Sequence, residues 1–368
     1  MKILFLTPWY PDEKNPNHGI FIRDQAVALS SQHQVTVISS KVNYTKFGLR
    51  TFTIKESTFQ NVKEYRLVIN RSLPIYNQLN FFLISARVTA KVASQCKPDI
   101  IHGNIGYPGG FWAWLVSRKI NKPFIITEHT FIYNNFRSII HKKLTLFALR
   151  KAAAIITVST NAANEIKKYV DSRVQIVPNI VDVSSYSIAP YPQGTVAIGF
   201  LGSLSTSKKG LDVLLRVLSK TRKDFILYIG GAGAMSGAYK ELANELDISA
   251  KCKFLGFVQP DEVPAYMNHL HFFVNTSRFE SFGIAIVEAM ASGLPAVCFD
   301  NGGPSDFVNQ TNGVLVENQD EEKLKKAFEW MIENYQNYNR EKIRASVVNQ
   351  FSKETFLSGI NKIYQEVK

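Results

Sequence analysis

The sequence predicts an α/β protein of two facing, doubly wound parallel-sheet domains with a cleft between them. Its 368 residues exceed the length at which a single hydrophobic core usually stops growing. Both halves alternate short apolar segments with helical patterns, as βα units do. Segment 183–195 interrupts the two series with Pro, Ser and Gly residues, and it is therefore predicted to be a linker.

The first series fills residues 1–185 and predicts an N-terminal Rossmann-like domain. Its apolar segments are short, and their spacing suits a parallel sheet whose strands are connected by helices. The predicted strands are 3–7, 34–39, 100–102, 124–128, 155–158 and 175–177.

The second series fills residues 186–350 and predicts a C-terminal Rossmann-like domain, with a helical pattern at 210–220. Residues 351–368 predict a terminal helix that packs back on the N-terminal domain. Ligands of such sheets bind beyond the carboxyl ends of the strands, so two facing domains create a cleft for them. The predicted strands are 196–201, 225–229, 253–254, 272–274, 296–299 and 313–316.

The composition argues against several classes of protein. The three cysteines, Cys96, Cys252 and Cys298, have no short spacing, which disfavours a disulfide framework and a structural zinc site. The N-terminal apolar run ends at Pro8, and no later stretch reaches the roughly 18 apolar residues of a membrane span. We therefore expect a cytoplasmic protein, either soluble or bound peripherally to the inner face of the cytoplasmic membrane.

The positive charge is confined to the N-terminal half. Residues 1–185 hold 24 Lys and Arg against 10 Asp and Glu, a net charge of +14, whereas the remainder holds 19 against 20, a net charge of −1. Such asymmetry indicates an anionic partner for the basic half, and lipid headgroups and nucleic acid both qualify.

Segment 137–151 combines five cations with a helical apolar stripe. This composition is typical of an interfacial membrane helix, but also of a helix that packs on its own sheet and keeps a solvated basic face. We expect the packed helix, with contact to an anionic membrane through the exposed basic face.

Two glutamates, Glu280 and Glu288, stand eight residues apart across a loop and a helix. If Ser281 caps a helix that begins near Phe282, the first-turn N–H groups form an anion site suited to phosphate. Glu288 then projects about two turns further on, roughly 10 Å away. Carboxylates on either side of an anion site suit a nucleotide sugar, whose hydroxyl-rich ends flank a diphosphate. Alternatively, Glu280 complements the helix dipole and Glu288 is a solvated helix residue.

The sequence around these glutamates resembles glycosyltransferase family 4. The resemblance covers nearly the whole chain, and it implies the GT-B fold, retention of anomeric configuration and an E-x7-E motif formed by Glu280 and Glu288. The matching segments are Asn17-His-Gly19-Ile-Phe, Pro178-Asn-Ile-Val-Asp182, Gly202 to Gly210, Gly230-Gly-Ala-Gly233, Phe254-Leu-Gly256-Phe-Val258, Ser277-x-x-Glu280-x-Phe-Gly283, Val287-Glu288-Ala-Met-Ala291, Gly293-Leu-Pro295, Gly302-Gly303 and Asn312-Gly313.

The family resemblance also implies roles for individual residues. Glu280 lies near the hydroxyls of the donor sugar, Glu288 binds the ribose, and Lys209 pairs with the phosphates. The implied catalytic residues are Glu280, His129 and Lys209, and the implied donor-binding residues are Gly19, Gly202, Ser203, Lys209, Val258, Ser281, Phe282, Gly283, Ile284 and Glu288.

One loop departs from the family pattern. The family often has Gly-Arg where this chain has Gly202-Ser203, and one extra residue precedes Lys209. Whether Lys208 replaces the missing arginine stays open, because both lysines also suit a solvated loop ahead of a helix.

Residues of the N-terminal half are expected on the sugar and acceptor side. Gly19 permits close approach of the backbone to a ligand, and the resemblance implies that His129 touches the donor sugar. His102 and Asn104, at the end of the preceding strand, are predicted on the acceptor side. Each histidine is, alternatively, a packed or surface residue.

The predicted function is transfer of a sugar from a nucleotide-diphosphate sugar to a glycan or lipid-linked acceptor, in polysaccharide or lipopolysaccharide synthesis. We expect neither a cofactor nor a metal, because the sequence contains no Asp-x-Asp pair.

The glycines at 230–233 match a dinucleotide fingerprint poorly and are expected to form a turn near the donor. The alternatives are a sugar-nucleotide epimerase, a phosphorylase, or a basic nucleic-acid-binding protein, the last disfavoured because the cations are dispersed.

Overall fold

The computed structural model describes residues 1–13, 15–44, 51–71, 77–136 and 138–368. It divides into two compact units: a first unit of Met1–Ile180 with Phe356–Lys368, and a second unit of Val181–Thr355. These bounds differ by five residues from the domain limits expected from the sequence, 185 and 350.

The first unit contains an eight-stranded sheet in the order β3-β4-β2-β1-β5-β6-β7-β8. Strands β1 and β5 are parallel neighbours, and the chain proceeds outward from them in both directions, so the sheet is doubly wound. The strands are β1 (Lys2–Thr7), β2 (Gln34–Tyr44), β3 (Thr51–Phe59), β4 (Val62–Arg71), β5 (Ile100–Asn104), β6 (Phe124–Glu128), β7 (Ala154–Thr157) and β8 (Val174–Ile176).

The hairpin of β3 and β4 was not expected from the sequence. It turns through Gln60 and Asn61, whose φ angles of 43° and 68° match the two-residue turn that hairpins favour. Because β3 pairs antiparallel to β4, this sheet is not purely parallel. The described side chains of β3 are exposed and mostly polar, so the segment has no apolar run that would mark a strand.

Helices cover the first sheet, and the terminal helix completes its core. Phe356, Ile360 and Tyr364 pack in one cluster with Ile3 and Phe5 of the central strand β1. The helices are α1 (Ile20–Ser30), α2 (Asn77–Cys96), α3 (Phe111–Ile120), α4 (Ile139–Lys151), α5 (Thr160–Lys167) and α12 (Lys353–Val367), the last belonging to the first unit from Phe356 onward.

The second unit is a six-stranded, wholly parallel sheet in the order β11-β10-β9-β12-β13-β14. Counted within the unit, this order is 3-2-1-4-5-6, the Rossmann arrangement, whose ligands bind where the winding reverses. Here the reversal lies between β9 and β12. The elements are β9 (Ala197–Leu201), α6 (Leu211–Ser219), β10 (Ile226–Gly230), α7 (Ser236–Glu245), β11 (Cys252–Gly256), α8 (Val263–Asn268), β12 (Phe272–Asn275), α9 (Ile284–Ala291), β13 (Ala296–Asp300), β14 (Gly313–Glu317), α10 (Glu321–Asn334) and α11 (Arg340–Phe351).

The two reversal points determine where ligands can bind. In the first unit, the chain leaving β1 and β5 carries Gly19 and Asn104, and in the second unit the chain leaving β9 and β12 carries Lys209 and Glu280. Within the part of the chain that the structure describes, no helix combines the length and apolarity needed to cross a membrane.

Candidate functional site

The carboxyl ends of β9 and β12 bring together a lysine and a glutamate that are 71 residues apart in sequence. Lys209 Nζ lies 2.6 Å from Glu280 Oε2, and the two side chains are 33% and 12% exposed. Ser277 Oγ donates to the same carboxylate oxygen at 3.3 Å. The lysine uses one of its three N–H donors on Glu280, which leaves the ammonium able to bind a phosphate beside it.

Glycines determine the position of Lys209. Gly210, with φ of 68°, ends the short turn Ser207–Lys209 and begins α6, and a Cβ at this position would lie 1.9 Å from the Thr276 carbonyl oxygen. A Cβ on Gly202 would meet Lys209 Cγ at 3.2 Å. Larger residues at either glycine would therefore displace the lysine or the turn that carries it.

The helix after Glu280 begins later than expected. Helix α9 starts at Ile284, with Gly283 as its N-cap at φ of 105°, and no side chain caps it. The prediction that Ser281 caps a helix from Phe282 is therefore wrong: only glycine readily takes this left-handed cap conformation. Glu288 is four residues into the helix, about 6 Å along its axis instead of two turns. The uncapped first turn presents N–H groups that can bind an anion.

A second glycine turn supports the loop ahead of α9. Gly303 N–H donates to the Glu280 carbonyl oxygen at 2.7 Å. A Cβ on Gly303 would lie 2.4 Å from Phe282 Cα, so only glycine lets the two backbones approach this closely. Phe282 is buried against Phe307 and Phe351. Residues 280–283, the loop that leads into the predicted anion site, are thus held by the packing of Phe282 and by the hydrogen bond from Gly303.

Glu288 has a partner that the sequence did not reveal. Tyr186 lies in the segment predicted to be a linker, and its hydroxyl donates to Glu288 Oε1 at 2.9 Å. Burial, together with the neighbouring Glu288 carboxylate, raises the pKa of Tyr186 well above its usual range, so the phenol stays protonated and remains a donor. The two residues are 102 positions apart, and no motif connects them.

The loop with the departure from the family pattern is braced by a different arginine. Ser203 is exposed, and its hydroxyl accepts the Ser205 N–H within its own turn. Arg278 binds both carboxylate oxygens of Asp212, at 2.9 and 2.7 Å, and donates its backbone N–H to the Lys208 carbonyl oxygen. The Lys208 side chain is exposed, whereas Lys209 reaches Glu280, so the two lysines differ in environment.

The glycines at 230–233 pack on this same loop. A Cβ on Gly231 would lie 1.9 Å from the Gly202 carbonyl oxygen, and one on Gly233 would lie 2.2 Å from Leu204. Val258, predicted to bind the donor, is half-buried and lies against Gly230. The glycines therefore allow close packing of two strand-end turns.

In the first unit, His129 and Asn104 form a buried polar pair at the ends of β6 and β5. His129 Nε2 and Asn104 Oδ1 are 2.9 Å apart. Burial lowers the pKa of His129 to about 3, against a smaller opposing effect of the Asn179 side chain, so the imidazole is neutral near pH 7. Within the part of the chain that the structure describes, His129 Nδ1 and Asn104 Nδ2 are buried without a hydrogen bond of good geometry. A ligand that paired with these atoms would remove a desolvation penalty.

His102, predicted on the acceptor side, has a different environment. It is 1% exposed, and its ring nitrogens lie 2.8 Å from the Tyr364 hydroxyl and 2.6 Å from Thr127 Oγ1. Burial lowers its pKa to about 3. Because both nitrogens bind within the unit, the geometry favours a structural role in which His102 joins the sheet to the terminal helix.

Gly19 begins α1 in a conformation that other residues rarely adopt. Its φ is 72°, and a Cβ would lie 2.6 Å from the backbone of Trp9. Phe21, two residues later, lies 4.8 Å from the His129 ring, measured between ring centroids. The structure therefore brings the start of α1 close to His129.

Residues 139–151 of the basic segment form helix α4, and Arg137 lies outside the described residues. Thr145, Leu146, Ala148 and Leu149 are buried, so one face packs on the unit as expected. No cluster of three His, Cys, Asp or Glu side chains suited to a metal ion occurs among the described residues.

Comparison with known proteins identifies both halves of the chain. Residues 19–185 match the model of glycosyltransferase family 4, and residues 190–347 match that of glycosyl transferases group 1. An uncharacterized glycosyltransferase of Methanocaldococcus jannaschii is 26% identical over 320 residues, which are 83% of this chain and 86% of that protein.

Three solved structures share the fold. Sucrose-phosphate synthase from Thermosynechococcus elongatus superposes with a TM-score of 0.84 at 16% identity, over 100% of this chain and 98% of that one. The Anabaena protein HepE, in complex with UDP and glucose, has a TM-score of 0.78 at 20% identity over 99% of both chains. The lipopolysaccharide outer core galactosyltransferase WaaB has a TM-score of 0.75 at 18% identity over 100% of both.

The fold, the strand-end sites and these matches together define the class of protein. The chain belongs to the family 4 type of glycosyltransferases, with two parallel-sheet α/β domains of the GT-B fold. The resemblance to glycosyltransferase family 4 and the predicted GT-B class of two parallel-sheet α/β domains are both confirmed, whereas retention of configuration and the E-x7-E motif stay predictions. The antiparallel strand β3 is an addition at the edge of the first sheet.

Proposed function

We propose that this chain is a retaining glycosyltransferase that transfers a sugar from a nucleotide-diphosphate sugar to a glycan or a lipid-linked acceptor. The observation that carries the proposal is the 2.6 Å contact between Lys209 and Glu280 at the reversal point of the second sheet. It pairs a cation suited to a phosphate with a carboxylate suited to sugar hydroxyls, beside the uncapped start of α9.

In this proposal the second unit binds the donor. The first-turn N–H groups of α9 and the Lys209 ammonium bind the diphosphate, and Glu288 accepts hydrogen bonds from the ribose. Glu280 accepts hydrogen bonds from the sugar. The Anabaena structure with UDP and glucose is a fold relative whose ligands have the chemistry proposed here.

The proposed reaction exchanges one bond at the anomeric carbon. The bond from this carbon to the β-phosphate oxygen breaks, and the acceptor hydroxyl forms the new bond on the same face. The hydroxyl proton passes to the leaving phosphate. Lys209 and the helix start stabilise the charge that develops on that phosphate, which is the basis for proposing metal-independent transfer. Glu280 positions the sugar and is not a covalent nucleophile.

We further propose that His129 and Asn104 serve the transferred sugar from the first unit. Their buried atoms Nδ1 and Nδ2, which lack a hydrogen bond of good geometry among the described residues, suit hydroxyl groups as partners. The setting proposed is polysaccharide or lipopolysaccharide synthesis at the inner face of the cytoplasmic membrane. The name of the fold relative WaaB, a lipopolysaccharide galactosyltransferase, and the basic N-terminal half support this setting.

A thermal-shift screen against UDP, GDP, ADP and their sugars tests the donor class. We expect one nucleotide to raise the unfolding midpoint selectively, since a ligand that binds only the folded state stabilises it. NMR of the product then reads the anomeric configuration. No stabilisation by any nucleotide would contradict the proposal, and turnover of a nucleotide sugar without an acceptor would favour an epimerase.

A further inference from the structure

A long stretch of the first unit is almost free of acidic residues. Between Asp99 and Glu165 the only acidic residue is Glu128, against eight Lys and Arg residues. Glu128 is buried, and its carboxylate accepts the Gly106 N–H. The exposed surface contributed by this stretch therefore carries positive charge without compensating negative charge of its own.

The same surface exposes two adjacent isoleucines. Ile139 and Ile140, at the start of α4, are 72% and 63% exposed, more than any other large apolar side chain among the described residues. Single exposed apolar residues are common on proteins. Two adjacent ones at the N-terminal end of a basic helix form a small apolar patch on a positively charged surface.

Helix α4 is divided into a packed face and an exposed face. Ile139, Lys143 and Phe147 follow one another at intervals of four residues, which places them on one side of the helix. Lys143 and the last residue, Lys151, are exposed, while Leu146 and Leu149 are buried on the packed side. The exposed face thus combines apolar and cationic side chains over the length of the helix, about 18 Å.

Helix α3 extends this face with an indole and a further cation. The half-buried Trp114 packs edge-to-face on Phe147, with ring centroids 4.8 Å apart. Trp114, Arg118 and Lys151 line a groove of about 490 Å³ at the ends of the two helices. Indole rings and cations with long apolar stems are the side chains found at the boundary between headgroups and acyl chains.

We propose that this α3–α4 face, comprising Ile139, Ile140, Lys143 and Lys151 of α4 with Trp114 and Arg118 of α3, docks on an anionic lipid bilayer. The two isoleucines insert at the acyl boundary, and the lysines and Arg118 pair with headgroup phosphates. A nucleic acid would use the same cations, but it offers no apolar layer for two exposed isoleucines, which is why a bilayer fits better.

The isoleucine end of the α3–α4 face lies at one edge of the sheet, whereas the groove beside Arg118 and Lys151 lies at the opposite edge, where β6 begins. Helix α4 follows β6 and begins at the carboxyl end of the sheet, the edge at which His129 and Asn104 lie. Docking would bring this edge to the membrane surface, where a lipid-linked acceptor is held. This link to catalysis rests on the proposed function, whereas the docking itself can be measured without any transfer reaction.

Co-sedimentation with vesicles tests the docking. The probes are vesicles of phosphatidylcholine alone and vesicles that also contain phosphatidylglycerol. We expect binding only to the anionic vesicles, weakened by salt, and a roughly tenfold or larger loss of partitioning for Ile139→Glu. Ile54→Glu is the matched control, because it makes the same change on an isoleucine that is 43% exposed on β3 of the same unit; it should bind like the unmodified chain.

The outcomes separate the docking from the proposed function. Equal binding by Ile139→Glu and the unmodified chain, or binding that ignores phosphatidylglycerol, would overturn the docking proposal. Binding to an oligonucleotide without binding to vesicles would assign the basic surface to nucleic acid instead. Normal vesicle binding in a chain that no nucleotide stabilises would leave the docking intact and remove the proposed donor chemistry.

Discussion

The candidate site residues of the two units differ in how they are paired. In the second unit they bind one another: Lys209 contacts Glu280 at 2.6 Å, and the Tyr186 hydroxyl donates to Glu288 at 2.9 Å. In the first unit, His129 and Asn104 share one contact, and each also buries a nitrogen that lacks a well-formed hydrogen bond.

This difference implies two kinds of binding energetics. A donor bound by the second unit must compete with the contacts that Lys209, Glu280 and Glu288 already make. Its binding free energy is therefore the difference between the new hydrogen bonds and those it replaces. A hydroxyl bound by the first unit would pair with buried atoms that lack a well-formed hydrogen bond, and each such pairing can contribute up to about 1–3 kcal/mol. The second unit is therefore preorganised by its own pairs, and the first unit depends more on its ligand.

The largest effect is expected from Lys209→Met in the second unit. Removing the ammonium takes away the charge proposed to stabilise the leaving phosphate, and it leaves the mostly buried Glu280 without its cation. Loss of one such preorganised group typically lowers the rate by about 10²–10³-fold, and we expect a decrease of that order in kcat/KM. Steady-state kinetics with the nucleotide sugar found in the screen measures it.

Lys208→Met is the matched control for this prediction. It removes the neighbouring ammonium, whose side chain is exposed, and we expect kcat/KM to change by no more than about threefold, as is usual for an exposed charge. An equal loss in both variants would contradict the assignment to Lys209 alone. It would indicate that Lys208 supplies the charge that the family arginine provides at the position of Ser203.

In the second unit, short apolar runs predict the strand ends before Gly202 and Asn275, and parallel strands place their carboxyl ends at one edge of the sheet. That Lys209 and Glu280 lie at the same site was expected from the family resemblance. The start of α9 was not, because a Ser-Phe-Gly segment suits a serine cap as well as a glycine cap, and the choice depends on the packing of Phe282.

Contacts between distant segments could not be predicted. The Ser and Pro residues around Tyr186 predict a linker, yet Tyr186 is buried and its hydroxyl donates to Glu288. The β3–β4 hairpin was missed because exposed edge strands have little apolar pattern. The sequence predicts His102 and His129 at equivalent strand ends. The structure differs, because β5 continues to Asn104 and His102 therefore lies inside the strand, where its ring contacts Tyr364 and Thr127.

A moderate effect is expected from His129→Gln in the first unit. Loss of the imidazole removes one neutral hydrogen-bonding partner of the sugar, so we expect kcat/KM to fall roughly tenfold. Because burial lowers the pKa of His129 to about 3, the unmodified enzyme should show no step from this residue in its pH–rate profile between pH 5 and 8. The profile and the variant's kinetics check the two statements.

The sign of the accompanying pH effect on stability follows from the same pKa. The folded-state pKa of His129 lies below the unfolded value of about 6.5, so between these values the unfolded chain binds more protons. Stability should therefore fall as the pH drops from 6.5 towards 3.

His102→Gln is the control for the kinetic effect of His129→Gln, since it should lower the unfolding midpoint without lowering kcat/KM for the folded fraction. A step near pH 6.5 in the unmodified enzyme that disappears in His129→Gln would refute the neutral role.

The smallest effect is expected from Tyr186→Phe, which tests whether the pairing within the second unit matters for binding. Without the phenol, Glu288 loses the donor that holds one carboxylate oxygen, and the other oxygen is presented to the ribose less accurately. We expect KM for the donor to rise by about three- to tenfold with kcat nearly unchanged, which is the size of one ordinary hydrogen bond, because the loss acts on the ribose only through Glu288. Tyr191→Phe is the matched control in the same segment, because the Tyr191 hydroxyl has no hydrogen-bond partner among the residues that the structure describes.

The affinities of Tyr186→Phe for two nucleotides distinguish a structural role of Tyr186 from a role in positioning Glu288. If Tyr186 positions Glu288 for the ribose, the loss of affinity should be large for the nucleoside diphosphate and smaller for its deoxyribose analogue, because the hydroxyl that Glu288 binds is missing from the analogue. A general loosening of α9 would weaken both to the same extent. Equal losses for the two nucleotides would thus show that the Tyr186–Glu288 pair stabilises the helix and does not direct the carboxylate to the ribose.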